Sequence, residues 1–333
     1  MKKKILITTG GSGGHAIPAT ILFDHLKKNF EVFLETDKRG ASFIDSKKYK
    51  YKVFSSVKLD SFFTIPINLF KIIILFVNSI IYLKKNNFNI IISTGGYMSI
   101  PTCFAAKILG LDIFLLEPNM AIGRSNRFFL NFTKKIFCYS ANLKYFPKKY
   151  EKKIIVIPSL LRKEVYEIKN NKEKEYKKFK ILIIGGSQGA SSLNSFIESH
   201  YEWFESQGVS LIHIMGEASY RDVYADQPQI ICDSASGVKR VIVPYIDDMK
   251  RLYEWADYVV SRAGATSVSE LMVYRKPALL IPYPHAVDNH QYYNAKNLST
   301  SECTKIILDD SVSLQNIVNS INEIINDNEK VNL

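Results

Sequence analysis

Cysteine is scarce in this sequence, with four in 333 residues. The four are scattered rather than paired at the short spacings typical of zinc ligands, and they are too few for a disulfide framework. No Asp-x-Asp motif follows a predicted strand, and the adjacent Asp247 and Asp248 open a predicted helix, where capping explains them. The sequence therefore predicts a reducing compartment and no metal site.

The N-terminal residues do not predict a secretory leader. The apolar run after the N-terminal lysines stops after three residues at a glycine loop and offers no cleavage site. We therefore expect the protein to remain on the cytoplasmic side.

The formal net charge of +12 permits nucleic acid, anionic lipid or a phosphorylated ligand as partner. The lysine clusters lie mostly between apolar segments, and no nucleic-acid-binding module accompanies them. We therefore expect no nucleic-acid partner.

A strand followed by a glycine-rich loop occurs twice, at residues 4–14 and again at residues 180–190. Such a loop leaves backbone N–H groups at the carboxyl end of a strand and at a helix N-terminus, where anions bind. A hydrophobic content of 47% is ample for two buried cores. We therefore expect two α/β domains, 1–160 and 161–333, joined by a charged linker near 158–178.

Short apolar segments alternate with helical stretches throughout the chain, which predicts parallel sheets wound by helices. In the first half, strands are predicted near 4–9, 31–35, 89–93, 112–116, 135–139 and 153–157, with helices near 16–28, 66–83, 99–109 and 122–132. In the second half, strands are predicted near 180–184, 210–215, 240–243, 257–260, 277–281 and 304–307.

Residues 65–83 form the most hydrophobic segment, and a segment of nineteen residues could just span a bilayer. Lys71 opposes this interpretation, because a lysine inside a span costs about 2.5–3.5 kcal/mol. Two hypotheses remain open, a buried core helix and a helix that docks on a membrane surface, with Lys84 and Lys85 available for anionic headgroups. For docking, the expected membrane-facing residues come from Ile72, Ile73, Leu75, Phe76 and Ile80.

The first glycine loop also fits the G-x-G-x-x-A dinucleotide fingerprint, with Glu35 at the end of the next strand. A nicotinamide-dependent oxidoreductase is therefore one hypothesis. The oxidoreductase hypothesis explains neither the second glycine loop nor His15 at the loop-to-helix junction. His15 itself is either a general base or merely a cap or surface residue.

The segment 262–270 follows a predicted strand and opens a helix. Glu270 is suitably spaced to accept the hydroxyls of a ribose, but Ser267 and Glu270 also match a helix capping box. Residues 282–291 form a polar, proline-stiffened loop after the next strand, whose amide and imidazole groups suit sugar hydroxyls.

The whole chain resembles the MurG family of N-acetylglucosaminyltransferases, which convert lipid I to lipid II in peptidoglycan synthesis. The resemblance rests on a series of motifs in family order: Gly10-Gly-Ser-Gly-Gly-His15, Ser93-Thr-Gly-Gly-Tyr-Met-Ser99, Glu117-Pro-Asn119, Gly185-Gly-Ser-Gln-Gly-Ala190, Tyr245-Ile-Asp-Asp-Met249, the segment 262–270 and Asp288-Asn-His-Gln291. Three positions depart from the family pattern, namely Pro118, Ile100 and the stretch Pro158-Ser-Leu-Leu-Arg162.

The resemblance implies a GT-B glycosyltransferase, in which two Rossmann-like parallel-sheet domains face each other across a cleft. It implies an inverting transfer of GlcNAc from UDP-GlcNAc to the C4 hydroxyl of MurNAc in lipid I, without a tightly bound cofactor, at the cytoplasmic face of the cell membrane. His15 is the expected base and Glu117 the second candidate, while Arg162 or Arg262 would meet the leaving-group charge.

The resemblance also assigns the remaining site residues. The implied UDP-GlcNAc ligands are Ser12, Gly13, Gly14, Asn119, Arg162, Ser187, Ile246, Ala265, Thr266, Ser267, Val268, Ser269, Glu270 and Gln291. The implied acceptor ligands are Gly95, Gly96 and Tyr97, together with the loop Ser12–His15, which the resemblance also places beside the lipid-linked diphosphate. The alternatives within the same architecture are a lipid galactosyltransferase or a UDP-GlcNAc epimerase, and a non-catalytic lipid-binding protein is a more distant one.

Overall fold

The computed structural model divides the chain into two compact units, Met1–Leu160 and Leu161–Leu333. It describes residues 2–54, 65–162, 165, 179–186, 190–225, 227–233, 237, 239–246, 248–299 and 304–331. The side chains of residues 65–70, 233 and 324–331 lie outside this description, as does most of the predicted linker.

The first unit is a seven-stranded parallel sheet with helices between its strands. Its strands are β1 Lys4–Thr8, β2 Glu31–Asp37, β3 Tyr51–Phe54, β4 Ile90–Ser93, β5 Asp112–Glu117, β6 Lys135–Cys138 and β7 Ile154–Val156. Its helices are α1 Gly13–Leu26, α2 Lys38–Ala41, α3 Ile65–Lys85, α4 Ser99–Ile108 and α5 Arg124–Phe129. The strand order is β3-β2-β1-β4-β5-β6-β7, so β1 and β4 are central neighbours.

The central strands are apolar because both faces of the sheet are covered. Leu6 and Ile91 pack into one core cluster, while Ile5, Ile7 and Ile92 pack into the cluster on the opposite face. Successive residues of a strand point to opposite faces, so an uninterrupted apolar run is what a doubly covered parallel strand requires.

The second unit repeats the arrangement with one antiparallel edge, because β10 pairs antiparallel to β11. Its strands are β8 Lys180–Ile184, β9 Ser210–Ile214, β10 Ile230–Asp233, β11 Lys239–Val243, β12 Tyr258–Ser261, β13 Ala278–Leu280 and β14 Thr304–Ile306, in the order β10-β11-β9-β8-β12-β13-β14. Its helices are α6 Ser191–Glu198, α7 Tyr201–Ser206, α8 Glu217–Tyr224, α9 Met249–Trp255, α10 Ala265–Tyr274, α11 His290–Leu298 and α12 Leu314–Val331.

Every strand that the periodicity predicts is present, but β3 and β10 were not predicted. Both are four-residue edge strands, so they carry only a short and partly exposed pattern. Edge strands of this kind lack the continuous apolar run that marks the central strands.

Helix α3 has one packed face and one exposed apolar face. Leu75 and Leu83 are buried, and Phe76 and Ile80 pack against the core. The opposite face exposes Ile73, Ile74, Val77 and Ile81, each by 44–56%. Within the described part of the chain, no helix has the length and hydrophobicity needed to cross a membrane.

The expected membrane-facing set is therefore wrong for Leu75, Phe76 and Ile80, because these side chains fill the core of the first unit. Ile72 is partly buried, whereas Ile73 is exposed as expected. The core hypothesis is confirmed for the packed face of α3, whereas docking of its exposed face on a membrane stays a prediction.

A buried carboxyl group lies at the end of β2. Glu35 is 1% exposed, and its Oε1 accepts hydrogen bonds from the hydroxyls of Thr8 and Thr102. Its Oε2 is buried with no hydrogen-bond partner among the described residues. Burial raises the pKa of Glu35 to about 7, against the opposing effects of the two hydroxyls and of Lys52, its neighbour in β3.

We predict that the wild-type first unit loses stability between pH 5 and pH 8, and that Glu35→Gln removes this loss. Because the pKa of Glu35 rises from 4.5 to about 7 on folding, the folded protein holds an extra proton between these values. This contribution is full below pH 4.5 and is lost as the pH rises through 7. The free energy of unfolding of the wild type should therefore fall by about 2–3 kcal/mol between pH 5 and pH 8. Glutamine does not titrate, so the variant should not show this fall.

Urea unfolding of wild type and variant at both pH values measures this difference. The control is Glu31→Gln on the same strand, whose side chain is 49% exposed beside Lys4. Equal pH dependence in wild type and Glu35→Gln would contradict the assignment.

Candidate active site

Two glycine loops meet at the carboxyl edge of the first sheet, where β1 and β4 end side by side. A Cβ on Gly96 would stand 2.6 Å from the carbonyl oxygen of Gly10, and one on Gly10 would stand 2.8 Å from the Cβ of Met98. Gly95 and Gly96 also have φ angles of 99° and 87°, which other residues rarely adopt. Glycine at these positions therefore allows the two loops to touch.

His15 is fixed in the first turn of α1 by the neighbouring loop. Its Nδ1 lies 2.9 Å from the carbonyl oxygen of Thr94, and the Thr94 hydroxyl donates to the carbonyl of His15 at 3.1 Å. A carbonyl only accepts, so Nδ1 carries the proton and Nε2 is the basic nitrogen of the neutral ring. A Cβ on Gly95 would lie 2.9 Å from Cε1 of His15, so the same loop also limits the position of the ring.

The β1–α1 loop is held from its other side by Asp37, which the sequence did not single out. Asp37 Oδ1 accepts from the backbone N–H groups of Gly11 at 3.1 Å and Gly40 at 2.7 Å. The Ser12 that precedes α1 is extended, and Gly13 and Gly14 begin the helix. The sequence signal that could have identified Asp37 is an acidic residue at the end of a strand, three residues before a glycine.

Glu35 does not have the environment that the dinucleotide fingerprint requires. The fingerprint needs a carboxylate that accepts from a ribose hydroxyl, whereas Oε1 of Glu35 already accepts from Thr8 and Thr102 of the core and burial raises the pKa of Glu35 to about 7.

Glu117 lies at the end of β5 and is bonded through both carboxylate oxygens. Oε1 accepts from the backbone N–H and the side-chain amide of Asn119, at 3.2 and 3.0 Å. Oε2 accepts from the N–H of Gly123 at 2.8 Å and from Nδ2 of Asn126 at 3.0 Å. Glu117 is 1% exposed and accepts from four donors, so it organises the turn into α5 and orients Asn119. A carboxylate whose oxygens are already bonded in this way is poorly placed to act as the base.

The predicted acceptor residues lie at the start of α4. The Gly96 carbonyl accepts from the hydroxyls of Ser99 at 2.7 Å and Ser125 at 3.1 Å, so α5 also supports this loop. Tyr97 stands out with 70% exposure. The structure thus presents a rigid glycine turn with an exposed aromatic ring beside it.

In the second unit, the loop after β8 repeats the close backbone approach. A Cβ on Gly185 would meet Oδ1 of Asn194 at 2.9 Å and the Met215 carbonyl oxygen at 3.1 Å, and Gly186 has a φ of 87°. Ser187 lies outside the described residues.

Helix α10 begins directly after the next loop. Its N-cap is Gly264 rather than Ser267, so the capping-box interpretation of Ser267 and Glu270 is wrong. Ala265, Thr266 and Ser267 form the partly exposed first turn, whose N–H groups precede the helical hydrogen-bond ladder and suit an anion.

Three predicted ligands on α10 have buried side chains. Val268 and Ser269 are 5% exposed and Glu270 is 3% exposed. Oε2 of Glu270 accepts from the Tyr253 hydroxyl at 3.1 Å, and Nε of Arg162 lies 3.9 Å from Oε1. Burial raises the pKa of Glu270, while Arg162 and the Tyr253 hydrogen bond oppose that rise.

The remaining predicted ligands of the second unit lie in the loops after β11 and β13. Gln291 Oε1 accepts from the backbone N–H of Tyr283 at 2.9 Å, which ties the first turn of α11 to the loop before it. Ile246 packs partly against the core, and the Asp248 side chain caps α9 by accepting from the Arg251 N–H, as expected. Asp247 lies outside the described residues.

Arg262 is committed to structure rather than to a leaving group. Its Nη1 donates to the Ile281 carbonyl at 3.1 Å and pairs with Asp309 at 2.5 Å, and its Nη2 donates to the Ser192 hydroxyl at 2.8 Å. The Ser192 hydroxyl in turn donates to Asp309 at 3.0 Å. Arg262, 5% exposed, thereby ties the ends of β12 and β13 to the first turn of α6.

Across the described residues, no group of three or more His, Cys, Asp and Glu side chains could hold a metal ion.

Comparison with family profiles identifies the class of protein. Residues 5–138 match the N-terminal domain of glycosyltransferase family 28, and residues 180–332 match its C-terminal domain. Two Rossmann-like units with glycine loops at the carboxyl edges of their sheets thus form a glycosyltransferase of the GT-B fold.

The chain is 38% identical to a Pelagibacter ubique (strain HTCC1062) protein named UDP-N-acetylglucosamine–N-acetylmuramyl-(pentapeptide) pyrophosphoryl-undecaprenol N-acetylglucosamine transferase, covering 99% of this chain and 91% of the relative. The crystal structure of Acinetobacter baumannii MurG matches with a TM-score of 0.67 at 23% identity, over 97% of this chain and 92% of that one. A UDP-GlcNAc 2-epimerase from Methanocaldococcus jannaschii matches with a TM-score of 0.60 at 12% identity, over 96% and 92%. The chain therefore belongs to the MurG family.

Family membership decides among the alternatives. The likeness to the epimerase is one of fold alone, whereas the transferase relative shares more than a third of its residues. Both halves match glycosyltransferase domains, which removes the oxidoreductase and the non-catalytic lipid-binding hypotheses.

We predict that Arg262→Met destabilises the second unit by about 3–5 kcal/mol, because it leaves the Asp309 carboxylate and the Ile281 carbonyl without their buried donor. The control is Arg251→Met, whose guanidinium is 85% exposed and pairs with Asp248 at 3.0 Å. That pair should contribute less than about 1 kcal/mol. Urea unfolding measures both, and equal losses in the two variants would show that Arg262 is not a structural link.

Proposed function

We propose that this protein transfers N-acetylglucosamine from UDP-N-acetylglucosamine to the C4 hydroxyl of N-acetylmuramic acid in undecaprenyl-linked lipid I, giving lipid II. The observation that carries the chemistry is His15, whose ring is held with Nε2 as the basic nitrogen at a glycine-lined sheet edge. The names of the most similar relatives supply the substrates.

On the donor side, the second unit offers a complementary surface for a nucleotide sugar. The first turn of α10 supplies N–H groups for the diphosphate, together with Ser187 and Arg162. Glu270 accepts from the ribose, and the backbone at Ile246 meets the uracil. Gln291 serves the donor sugar, and its carboxamide is already oriented by Tyr283. Asn119, which belongs to the first unit, also serves the sugar hydroxyls and the acetamido group.

On the acceptor side, the loops at Ser12–His15 and Gly95–Tyr97 receive the lipid-linked diphosphate and sugar. Gly13, Gly14 and the first turn of α1 provide backbone N–H groups for phosphate oxygens. The exposed ring of Tyr97 suits the apolar face of a sugar.

The reaction needs a single displacement. His15 Nε2 takes the proton of the C4 hydroxyl while that oxygen bonds to the anomeric carbon of the donor sugar, and the bond to the UDP oxygen breaks with inversion. The departing diphosphate keeps the electron pair, and its charge is met by the N-terminus of α10 and by Arg162. We assign this role to Arg162 rather than to Arg262, because both Nη atoms of Arg262 already contact protein acceptors.

We further propose that the enzyme docks on the cytoplasmic face of the membrane without spanning it. A polyprenyl acceptor stays in the bilayer, so its diphosphate must be met at the surface. The exposed face of α3, formed by Ile73, Ile74, Val77 and Ile81, is apolar and ends at Lys84 and Lys85. An amphipathic helix of this composition suits an anionic membrane interface.

We predict that the purified protein forms lipid II from UDP-N-acetylglucosamine and a lipid I analogue, and that His15→Ala lowers turnover about a hundredfold or more. Affinity for UDP should remain near that of the wild type, because the donor site lies on other residues. Mass spectrometry of the product and calorimetry with UDP measure the two effects.

Absence of product with the wild type would contradict the proposed function. Near-normal turnover of His15→Ala would reject His15 as the base but would leave the proposed function standing. Glu117→Gln serves as a control for the surrounding loop, because it tests the support of Asn119 rather than proton transfer.

We predict that Val77→Ser with Ile81→Ser weakens binding to anionic liposomes at least about tenfold, since each fully buried aliphatic side chain contributes about 1.5–3 kcal/mol. The matched control is Val223→Ser with Ile231→Ser, which changes the same residue types at comparable exposure in the second unit. Both variants should keep activity on a short-chain soluble acceptor. Unchanged sedimentation of the α3 variant with liposomes would mean that docking uses another surface.

A further inference from the structure

A stacked pair of tyrosines lies behind Glu270 in the second unit. Tyr253 of α9 is fully buried, and its ring lies 4.8 Å from the ring of Tyr274 at an interplanar angle of 25°. The Tyr253 hydroxyl donates to Oε2 of Glu270 at 3.1 Å. The Tyr274 hydroxyl is also buried but has no hydrogen-bond partner among the described residues. The two phenols thus stack on each other, but Tyr274 is only partly buried and its hydroxyl lacks the polar contact that Tyr253 makes.

The two oxygens of Glu270 are not equivalent. Oε2 accepts from Tyr253, whereas Oε1 is buried and accepts no hydrogen bond from the described residues. Nε of Arg162 is 3.9 Å away, which is beyond hydrogen-bond distance. A buried carboxylate oxygen without a donor is costly, so a ligand hydroxyl that reaches it gains more than it would at a solvated carboxylate.

We infer that Tyr253 is a positioning residue for the donor nucleotide: its hydroxyl holds one oxygen of Glu270 and thereby orients the other toward the ribose hydroxyls. This inference rests on the proposed donor site at Glu270. The torsion that orients a glutamate carboxylate is broad, so a hydrogen bond to one oxygen determines where the other points. The hydroxyl of Tyr253 remains protonated, because burial and the neighbouring Glu270 raise its pKa well above the ordinary value.

The same hydrogen bond also favours the charged form of the Glu270 carboxyl group. Burial raises the pKa of Glu270, and the contact with Tyr253 is one of two that oppose this rise. Arg162 is the other, with its Nε 3.9 Å from Oε1. Tyr253 is held in the core between α9 and α10, so the position of its hydroxyl is fixed by packing.

The test compares Tyr253→Phe with Tyr274→Phe, each of which removes one hydroxyl and keeps the ring stack. Calorimetry measures the affinity for UDP and for 2′,3′-dideoxy-UDP, which lacks the ribose hydroxyls. We expect Tyr253→Phe to weaken UDP binding about tenfold, the usual size for a hydrogen bond to a charged group, and to change dideoxy-UDP binding less than about twofold. Tyr274→Phe should change neither affinity.

The pH dependence provides a second readout. Because the Tyr253 hydroxyl opposes the upward shift of the Glu270 pKa, removing it raises that pKa further, so the UDP affinity of Tyr253→Phe should begin to fall at a higher pH than that of the wild type as the pH is lowered. Tyr274→Phe should follow the wild-type curve. A parallel curve for Tyr253→Phe would overturn the inference.

Glu270→Ala separates this inference from the proposed function. Unchanged UDP affinity in folded Glu270→Ala would place the ribose elsewhere and would refute the proposed donor site. If Glu270→Ala loses UDP affinity but Tyr253→Phe keeps it, the donor site stands and the role of Tyr253 is refuted. An equal loss for UDP and dideoxy-UDP in Tyr253→Phe would likewise refute it, because a general packing defect does not distinguish the two nucleotides.

Discussion

Gly10 and Gly96 are in such close backbone contact that the arrangement of the first unit's site depends on it. Adjacent parallel strands β1 and β4 bring the two loops together, and no side chain fits between them. Only because the loops touch can the Thr94 carbonyl reach the ring of His15 and fix its proton on Nδ1. The hydroxyls of Ser99 and Ser125 then hold the same turn through the Gly96 carbonyl, so acceptor loop and candidate base form one rigid group.

The second unit repeats the loop sequence but supports it differently. Asn194 packs beneath Gly185, donates to the Met215 carbonyl at 3.0 Å and contacts Nε2 of His213 at 3.0 Å. Because the Asn194 amide nitrogen faces a carbonyl, its oxygen faces His213, which must donate from Nε2 and accept from Tyr201 through Nδ1. Burial lowers the pKa of His213 to about 3, so this network stays neutral. Similar loops are thus supported by a backbone contact in the first unit and by a buried hydrogen-bond network of side chains in the second.

The sequence predicted what is local and left out what depends on distant partners. Strand ends, glycine turns and the order of the motifs are encoded in short segments, and they were predicted correctly. In α3 nearly every position is apolar, so periodicity could not tell the buried face of Leu75 from the exposed face of Ile73. The role of Arg262 could not be predicted either, because its partner Asp309 lies after β14 and is brought near by the sheet. The same reason applies to Tyr253, which reaches Glu270 from a different helix.

The number of donors around each buried carboxylate separates structural from ligand-binding roles. Glu117 accepts from four donors within the protein, and its role is to fix the geometry of the turn that follows β5. Glu35 lacks a donor on one oxygen, but its pKa of about 7 lets it take a proton instead of a ligand. Glu270 also has one oxygen without a donor, yet a tyrosine hydroxyl and a nearby arginine favour its charged form. A buried carboxylate with an oxygen that lacks a donor can accept hydroxyl groups from outside, and Glu270 combines this with a place on the helix whose N-terminus suits an anion.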